Sequence, residues 1–117
     1  MNEVALMQNI VDSAVERAKQ NGAHHIYTIE MRVGAAAGVA AGVAPESLEK
    51  AFDVVKKGTI ADMAKLQVDY VSTVCYCANC DIEFQPNNSR YECPECHQPY
   101  CEVRKGTELE LASLDVS

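Results

Sequence analysis

Apolar residues recur at helical spacing from residue 4 to residue 20. Val4, Met7, Val11, Ala14, Val15 and Ala18 line one side, with Asp12, Glu16 and Lys19 on the other. Asn21-Gly22 marks the stop, because glycine accepts the left-handed conformation that closes a helix. From Ile26 to Val33 the period falls to two. Tyr27, Ile29, Met31 and Val33 alternate with Thr28, Glu30 and Arg32, which predicts a half-buried strand. A second helix is expected from Pro45, a residue suited to a first turn, to about Lys57. Its stripe is Leu48, Ala51, Phe52 and Val55, and Gly58 ends it. Leu66, Val68 and Tyr70 alternate with Gln67 and Asp69, and Leu109 and Leu111 with Glu108 and Glu110, giving two further strands. The simplest architecture is an α+β fold: two helices on one face of a three-stranded sheet. The last two strands flank a cysteine-rich segment and could pair with each other.

Between the first strand and the second helix lies Gly-Ala-Ala-Ala-Gly-Val-Ala-Ala-Gly-Val-Ala, residues 34–44. Ala-Gly-Val-Ala occurs twice in succession there, at 37–40 and 41–44, like a small tandem duplication. Four additional loop residues cost little closure entropy, so such an insertion survives without needing a function.

At 117 residues the chain can build one modest core, and a metal staple would help it. No apolar run approaches the ~20 residues that span a bilayer, and the first 20 residues lack a signal peptide's basic start and apolar centre. A cytoplasmic protein is expected. The net charge of −7 leaves no basic footprint for phosphates, so nucleic acid is disfavoured as a partner. Metal cations and basic protein surfaces fit better.

All six cysteines fall between residues 75 and 101. Cys77-Ala-Asn-Cys80 and Cys93-Pro-Glu-Cys96 are two C-x₂-C pairs separated by twelve residues. Each pair forms a tight knuckle whose sulfurs point at one ion, and two knuckles complete a tetrahedron. A soft four-sulfur set suits Zn²⁺ and leaves no open coordination position, which points to a structural rather than a catalytic ion. Buried free thiols are the bland alternative, and paired knuckles argue against it. Cys75 and Cys101 are expected to serve packing, and His97 to be solvated although it follows a ligand cysteine. His24-His25, adjacent at a strand edge, should diverge and stay solvated. No triad, phosphate loop or open metal site suggests an enzyme. The expected division is an α+β domain, 1–73 and 104–117, with a zinc-binding domain, 74–103, inserted in it.

Several separate features together resemble the HypA/HybF family. They are Met-x-Glu at the start, a strand ending in Val33-Gly34, Pro45-Glu46-Ser47-Leu48, Ala51-Phe52 and Lys57-Gly58-Thr59-Ile60-Ala61. The two knuckles and Gly106-x-Glu108-Leu109-x-Leu111-x-Ser113 complete the set. The resemblance covers essentially the whole chain. It implies a cytosolic metallochaperone that delivers Ni²⁺ to the large subunit of [NiFe]-hydrogenase, and in some bacteria to urease through its maturation proteins. The partner it implies is a HypB-like GTPase. It also implies an α+β fold with a zinc ribbon, zinc on Cys77, Cys80, Cys93 and Cys96, and transient nickel at the N-terminus, here Met1, Asn2 and Glu3.

The start departs from the family's Met-His-Glu. Asn2 puts a carboxamide where the family has a nickel-ligating imidazole, and an amide is a weak oxygen donor. The Met1 amine, backbone nitrogens and the Glu3 carboxylate remain, a set expected to hold nickel more weakly. The alternative is a paralogue with weakened or lost nickel binding that works as an adaptor or regulatory maturation subunit. The loop after the first strand departs as well. Ala35-Ala36-Ala37-Gly38-Val39 stands where the family usually carries Glu-Leu-Ser-Gly-Val, so an acidic group is missing.

Overall fold

Eighteen residues without an interior glycine or proline form α1, Glu3–Gln20. Its inner face carries Leu6, Met7, Ile10, Val11, Ala14 and Ala18, a broader and rotated version of the expected stripe. The helix packs against both the second helix and the sheet, so two adjacent rows are buried instead of one. Leu6 and Ile10 therefore face inward, while Val4 is 50% exposed. At the C-terminus Ala23 N–H donates to Ala18 O (2.9 Å) and Gly22 N–H to Lys19 O (3.0 Å), with Gly22 at φ 73°. This is the Schellman arrangement expected of Asn-Gly.

The computed structural model describes residues 3–35, 45–87 and 90–117. After α1 come β1 (Ile26–Gly34), α2 (Pro45–Val55), β2 (Lys65–Val71), β3 (Val74–Cys77), β4 (Ile82–Phe84), β5 (Glu102–Lys105) and β6 (Leu109–Val116). The duplicated segment, 37–44, lies outside the described residues. Two three-stranded sheets form, in the orders β2-β1-β6 and β4-β3-β5.

The order of the first sheet corrects one expectation. β2 and β6 flank the cysteine segment but do not pair with each other; each pairs with β1, which lies between them. β1 runs parallel to β2 and antiparallel to β6. A parallel neighbour needs a crossover, and α2 supplies it between β1 and β2.

Tyr27 is the second correction. Ile26 pairs with Val116 and Thr28 with Asp115, so Tyr27 is the additional residue of a bulge. The inward position passes to Ile26, and Tyr27 turns out, with its hydroxyl 2.8 Å from Ser117 Oγ. A second bulge leaves Ala112 without an opposite residue, between the pairs Glu30–Ser113 and Met31–Leu111. That shift of one residue puts Leu109 and Leu111 on the same face as Leu114 and Val116, and all four pack on the core. Tyr70, expected inward, is half exposed at the end of the edge strand. Burial, then the Glu49 and Glu46 carboxylates of α2, push its hydroxyl pKa up.

Met7, Val11, Ile29, Met31, Leu48 and Phe52 form the centre of the helix–sheet core. The opposite sheet face is polar, with Arg32 Nη1 3.5 Å from Glu110 Oε1 and Ser113 Oγ donating to Glu30 Oε2 at 3.0 Å. A second buried cluster, Cys75, Cys77, Cys93 and Cys101, belongs to the smaller sheet. The molecule is elongated, 54 × 25 × 16 Å.

At the junction Gly34 N–H donates to Glu108 O at 2.6 Å. Gly106, at φ 103°, donates its N–H to the Glu108 carboxylate (3.1 and 3.3 Å). A Cβ on Gly34 would collide with the Gly106 carbonyl, and one on Gly106 would lie 2.7 Å from Thr73 Cα. The Gly-x-Glu pattern thus lets three chain segments meet at a point too narrow for a side chain.

Candidate metal centre

Each cysteine pair is delivered by a tight turn. Cys77 ends β3, and the chain turns through Ala78, Asn79 and Cys80 before β4 begins. In the second pair His97 N–H donates to Cys93 O and Cys93 N–H to Gln98 O, both at 2.9 Å. The residue following each second cysteine is left-handed, Asp81 at φ 51° and His97 at φ 63°. The two turns are therefore built alike. Asn79 Nδ2 donates to Gln98 Oε1 at 3.1 Å and ties one to the other. Asp81 is held by the Tyr76 hydroxyl (2.6 Å), and the Tyr76 ring lies 3.7 Å beneath the Arg104 guanidinium.

The sulfurs of Cys77, Cys80, Cys93 and Cys96 all lie within 4.8 Å of one another. Cys77 and Cys96 are 3.5 Å apart, and Cys80 and Cys93 3.9 Å. A tetrahedron with Zn–S bonds of about 2.3 Å has edges of about 3.8 Å, so the donor set is of zinc dimensions. No other group of three or more His, Cys, Asp or Glu side chains converges in this way among the described residues.

The electrostatics also call for a cation. The Cys80 backbone N–H, donating to the Cys77 sulfur, does most to lower that thiol to about 7. Its neighbour Cys80 is pushed up to about 12, chiefly by its hydrogen bond with the Cys96 sulfur. One thiolate is accommodated, but a second beside it is resisted. A positive ion among the sulfurs would relieve that repulsion.

The remaining sequence candidates fall elsewhere. Cys75 is buried on β3 outside the group, and burial pushes its thiol pKa up. Cys101 is also buried, and its Sγ donates to Gln98 O at 3.3 Å. His97 is exposed and pairs with Glu92, Nδ1 to Oε1 at 3.0 Å, outside the sulfur group. His24 and His25 are exposed as well, and their backbone N–H groups both donate to Ser117 O, at 2.8 and 3.1 Å. Glu3 opens α1, whereas Met1 and Asn2 lie outside the described residues. The Asn79–Gln98 tie and the Tyr76–Arg104 stack had no signature in the sequence, since long-range pairing creates both.

The family model described as hydrogenase/urease nickel incorporation, metallochaperone, hypA matches residues 1–116. The chain belongs to the HypA family. It is 41% identical over 116 residues to hydrogenase maturation factor HypA of a Picosynechococcus species, covering 99% of each chain. It is 34% identical to the HypA of Chloroflexus aurantiacus, covering 98% of each. Its fold is that of the Ni metallochaperone HypA from Helicobacter pylori, with a TM-score of 0.70 at 24% identity over 99% of this chain and 97% of that one. A second HypA solution structure gives 0.72 at 23% identity over 100% and 97%. HypA proteins are metallochaperones rather than enzymes, and this chain carries the family's nickel-incorporation role together with a four-cysteine site suited to zinc.

Proposed function

We propose that the chain carries nickel at its N-terminus for hydrogenase or urease maturation, while zinc on Cys77, Cys80, Cys93 and Cys96 holds the β3–β5 unit together. The observation that supports this reading is a four-sulfur cluster of zinc dimensions inside a chain that matches the nickel-incorporation family from residue 1 to residue 116. Four thiolates saturate the zinc, so the ion supplies folding energy rather than Lewis-acid chemistry. The smaller sheet needs it: its buried apolar centre is almost entirely cysteine. On this reading residues 1–73 and 104–117 form the nickel-carrying unit and 74–103 the zinc unit.

Nickel is cargo, and its ligands are Met1 through the amine, the backbone at Asn2 and the Glu3 carboxylate. Asn2 lacks the imidazole of the family motif, so transfer rests on weaker and more readily reversed binding. The partners are a HypB-like GTPase and the [NiFe]-hydrogenase large subunit, with urease maturation proteins as a further client route. A cytoplasmic location fits these partners, and no helix among the described residues is long and apolar enough to cross a membrane. Expression of the chain in a strain deleted for its own HypA should restore hydrogenase activity at low external nickel. Activity that stays at the deletion level would overturn the proposal.

Asn2 also favours a second reading, a maturation subunit that has given up nickel and acts by protein contact. Restored maturation that is indifferent to Glu3→Ala would support that reading over nickel transfer.

A further inference from the structure

The two knuckles are held to the protein in unequal ways. The first is the turn of the β3–β4 hairpin, where Cys77 pairs with Ile82. Its left-handed residue Asp81 accepts a hydrogen bond from the Tyr76 hydroxyl at 2.6 Å, which fixes the turn to β3. Arg104 stacks on the Tyr76 ring at 3.7 Å. Its Nη1 lies 3.6 Å from Glu83 Oε2 and its Nε 3.7 Å from Glu102 Oε2, so one guanidinium spans β3, β4 and β5. The second knuckle, Cys93–Cys96, lies between β4 and β5 and belongs to neither strand. Its surrounding backbone hydrogen bonds close on themselves: Cys93 to Gln98, His97 to Cys93, Tyr100 to Arg90 and Cys101 to Tyr91. The His97–Glu92 pair is internal to the same segment. The hydrogen bond that reaches from it to the first knuckle is Asn79 Nδ2 donating to Gln98 Oε1 at 3.1 Å. Asn79 sits between Cys77 and Cys80, inside the first knuckle. At the other end the Gln98 carbonyl accepts the Cys93 N–H at 2.9 Å, so Gln98 forms the base of the second knuckle. Among the four cluster cysteines, Cys96 is the exposed one, while Cys77 and Cys93 are buried.

We propose that Asn79 and Gln98 are positioning residues of the metal centre: their bond is a latch that holds the second knuckle closed on the first and sets how fast zinc leaves. This inference rests on the reading that the four-cysteine cluster holds zinc. With the first knuckle anchored to the sheet, opening takes place at the second, and the exposed Cys96 is the sulfur that detaches first. While the latch is closed, Gln98 keeps Cys93 over the ion and Cys96 within reach, so a detached sulfur rebinds. When the latch opens, the second knuckle moves as a unit, because its own hydrogen bonds are internal. Each sulfur that detaches is replaced on the ion by a donor atom of the incoming chelator, and no electron moves. Loss of one net hydrogen bond shifts such an opening equilibrium by about two- to tenfold.

The test follows zinc release from the full-length, zinc-loaded chain into an excess of a chromogenic chelator, with the order of cysteine alkylation by iodoacetamide mapped in parallel. The proteins are wild type, Asn79→Ala, Gln98→Ala, Asn79→Ala/Gln98→Ala and Gln98→Glu. Both side chains are exposed, so the fold does not depend on either. Each alanine variant should release zinc about two- to tenfold faster than wild type, with the melting of α1 unchanged. The double variant should be no faster than the singles, because the same bond is lost once. Gln98→Glu keeps an oxygen acceptor for Asn79 Nδ2 and should release zinc no faster than wild type. In wild type the first alkylation should fall on Cys96. Wild-type release rates in both alanine variants would overturn the latch while leaving the zinc reading intact. So would effects that multiply in the double variant, release from Gln98→Glu as fast as from Gln98→Ala, or first alkylation at Cys77 or Cys80. A wild-type chain that binds no zinc would overturn both the latch and the zinc reading.

Discussion

A methyl group at Gly106 should be among the most damaging small changes the junction can suffer. Gly106 is held at φ 103°, beyond the left-handed region that L-residues tolerate, and its added Cβ would sit 2.7 Å from Thr73 Cα and 2.9 Å from Thr73 Oγ1. The dihedral alone costs about 1–3 kcal/mol, and overpacking against backbone adds a comparable amount, so Gly106→Ala should destabilise by about 2–6 kcal/mol. At roughly 3–4 °C per kcal/mol for a chain of this size, the melting temperature should fall by about 6–24 °C. Gly22→Ala separates the two contributions, because Gly22 has φ 73° with nothing within 4 Å of its added Cβ. It should cost about 1–2 kcal/mol. The assay is thermal unfolding of both zinc-loaded variants, followed by circular dichroism on the helices. If Gly106→Ala melts no lower than Gly22→Ala, the close approach of Thr73, Gly106 and Gly34 does not constrain the junction and the reasoning fails.

Leu48→Ala, at a fully buried position of α2, should cost about 2–5 kcal/mol in urea unfolding, whereas Val54→Ala, 61% exposed on the same helix, should stay within about 0.5 kcal/mol; equal costs would contradict the assigned inner face. Cys75 carries a thiol pKa raised by burial, so its neutral form stabilises the fold in full below the ordinary thiol value of 9.0, and that contribution is lost as pH rises through the raised value. Above pH 9 stability should therefore fall less steeply in Cys75→Ala than in wild type, and identical slopes in urea melts would refute this. Chelation of zinc should abolish hydrogen-exchange protection in β3, β4 and β5 while α1 and β1 keep theirs; loss in both regions, or in neither, would contradict a zinc-stapled unit built on an independent core.

The knuckles were legible because their information is local: two ligands separated by two residues in a turn define a site without knowledge of the rest of the fold. The helix positions were legible for the same reason, from Asn21-Gly22 and Gly58. What escaped was set by partners distant in sequence. The central place of β1 depends on which strands meet it, and nothing within Ile26–Gly34 announces a parallel neighbour on one side and an antiparallel one on the other. Tyr27 was misplaced because a bulge against Val116 and Asp115 breaks the alternation that its own strand displays. Leu114 and Val116 fall on the inner face only because Ala112 is left unopposed. Likewise Tyr91 and Tyr100 adopt positive φ, at 50° and 56°, conformations that a tyrosine's own preferences oppose and the knuckle hydrogen bonds impose.

Nickel handling is the central claim, and titration calorimetry of Ni²⁺ into the zinc-loaded, untagged chain tests it most directly, with Glu3→Ala and Asn2→His measured alongside. The account predicts one reversible nickel per chain in addition to zinc, weakened by Glu3→Ala and tightened by Asn2→His as an imidazole enters the ligand set. A native chain that takes up no nickel while Asn2→His binds it would contradict nickel transfer and leave protein contact as the chain's work.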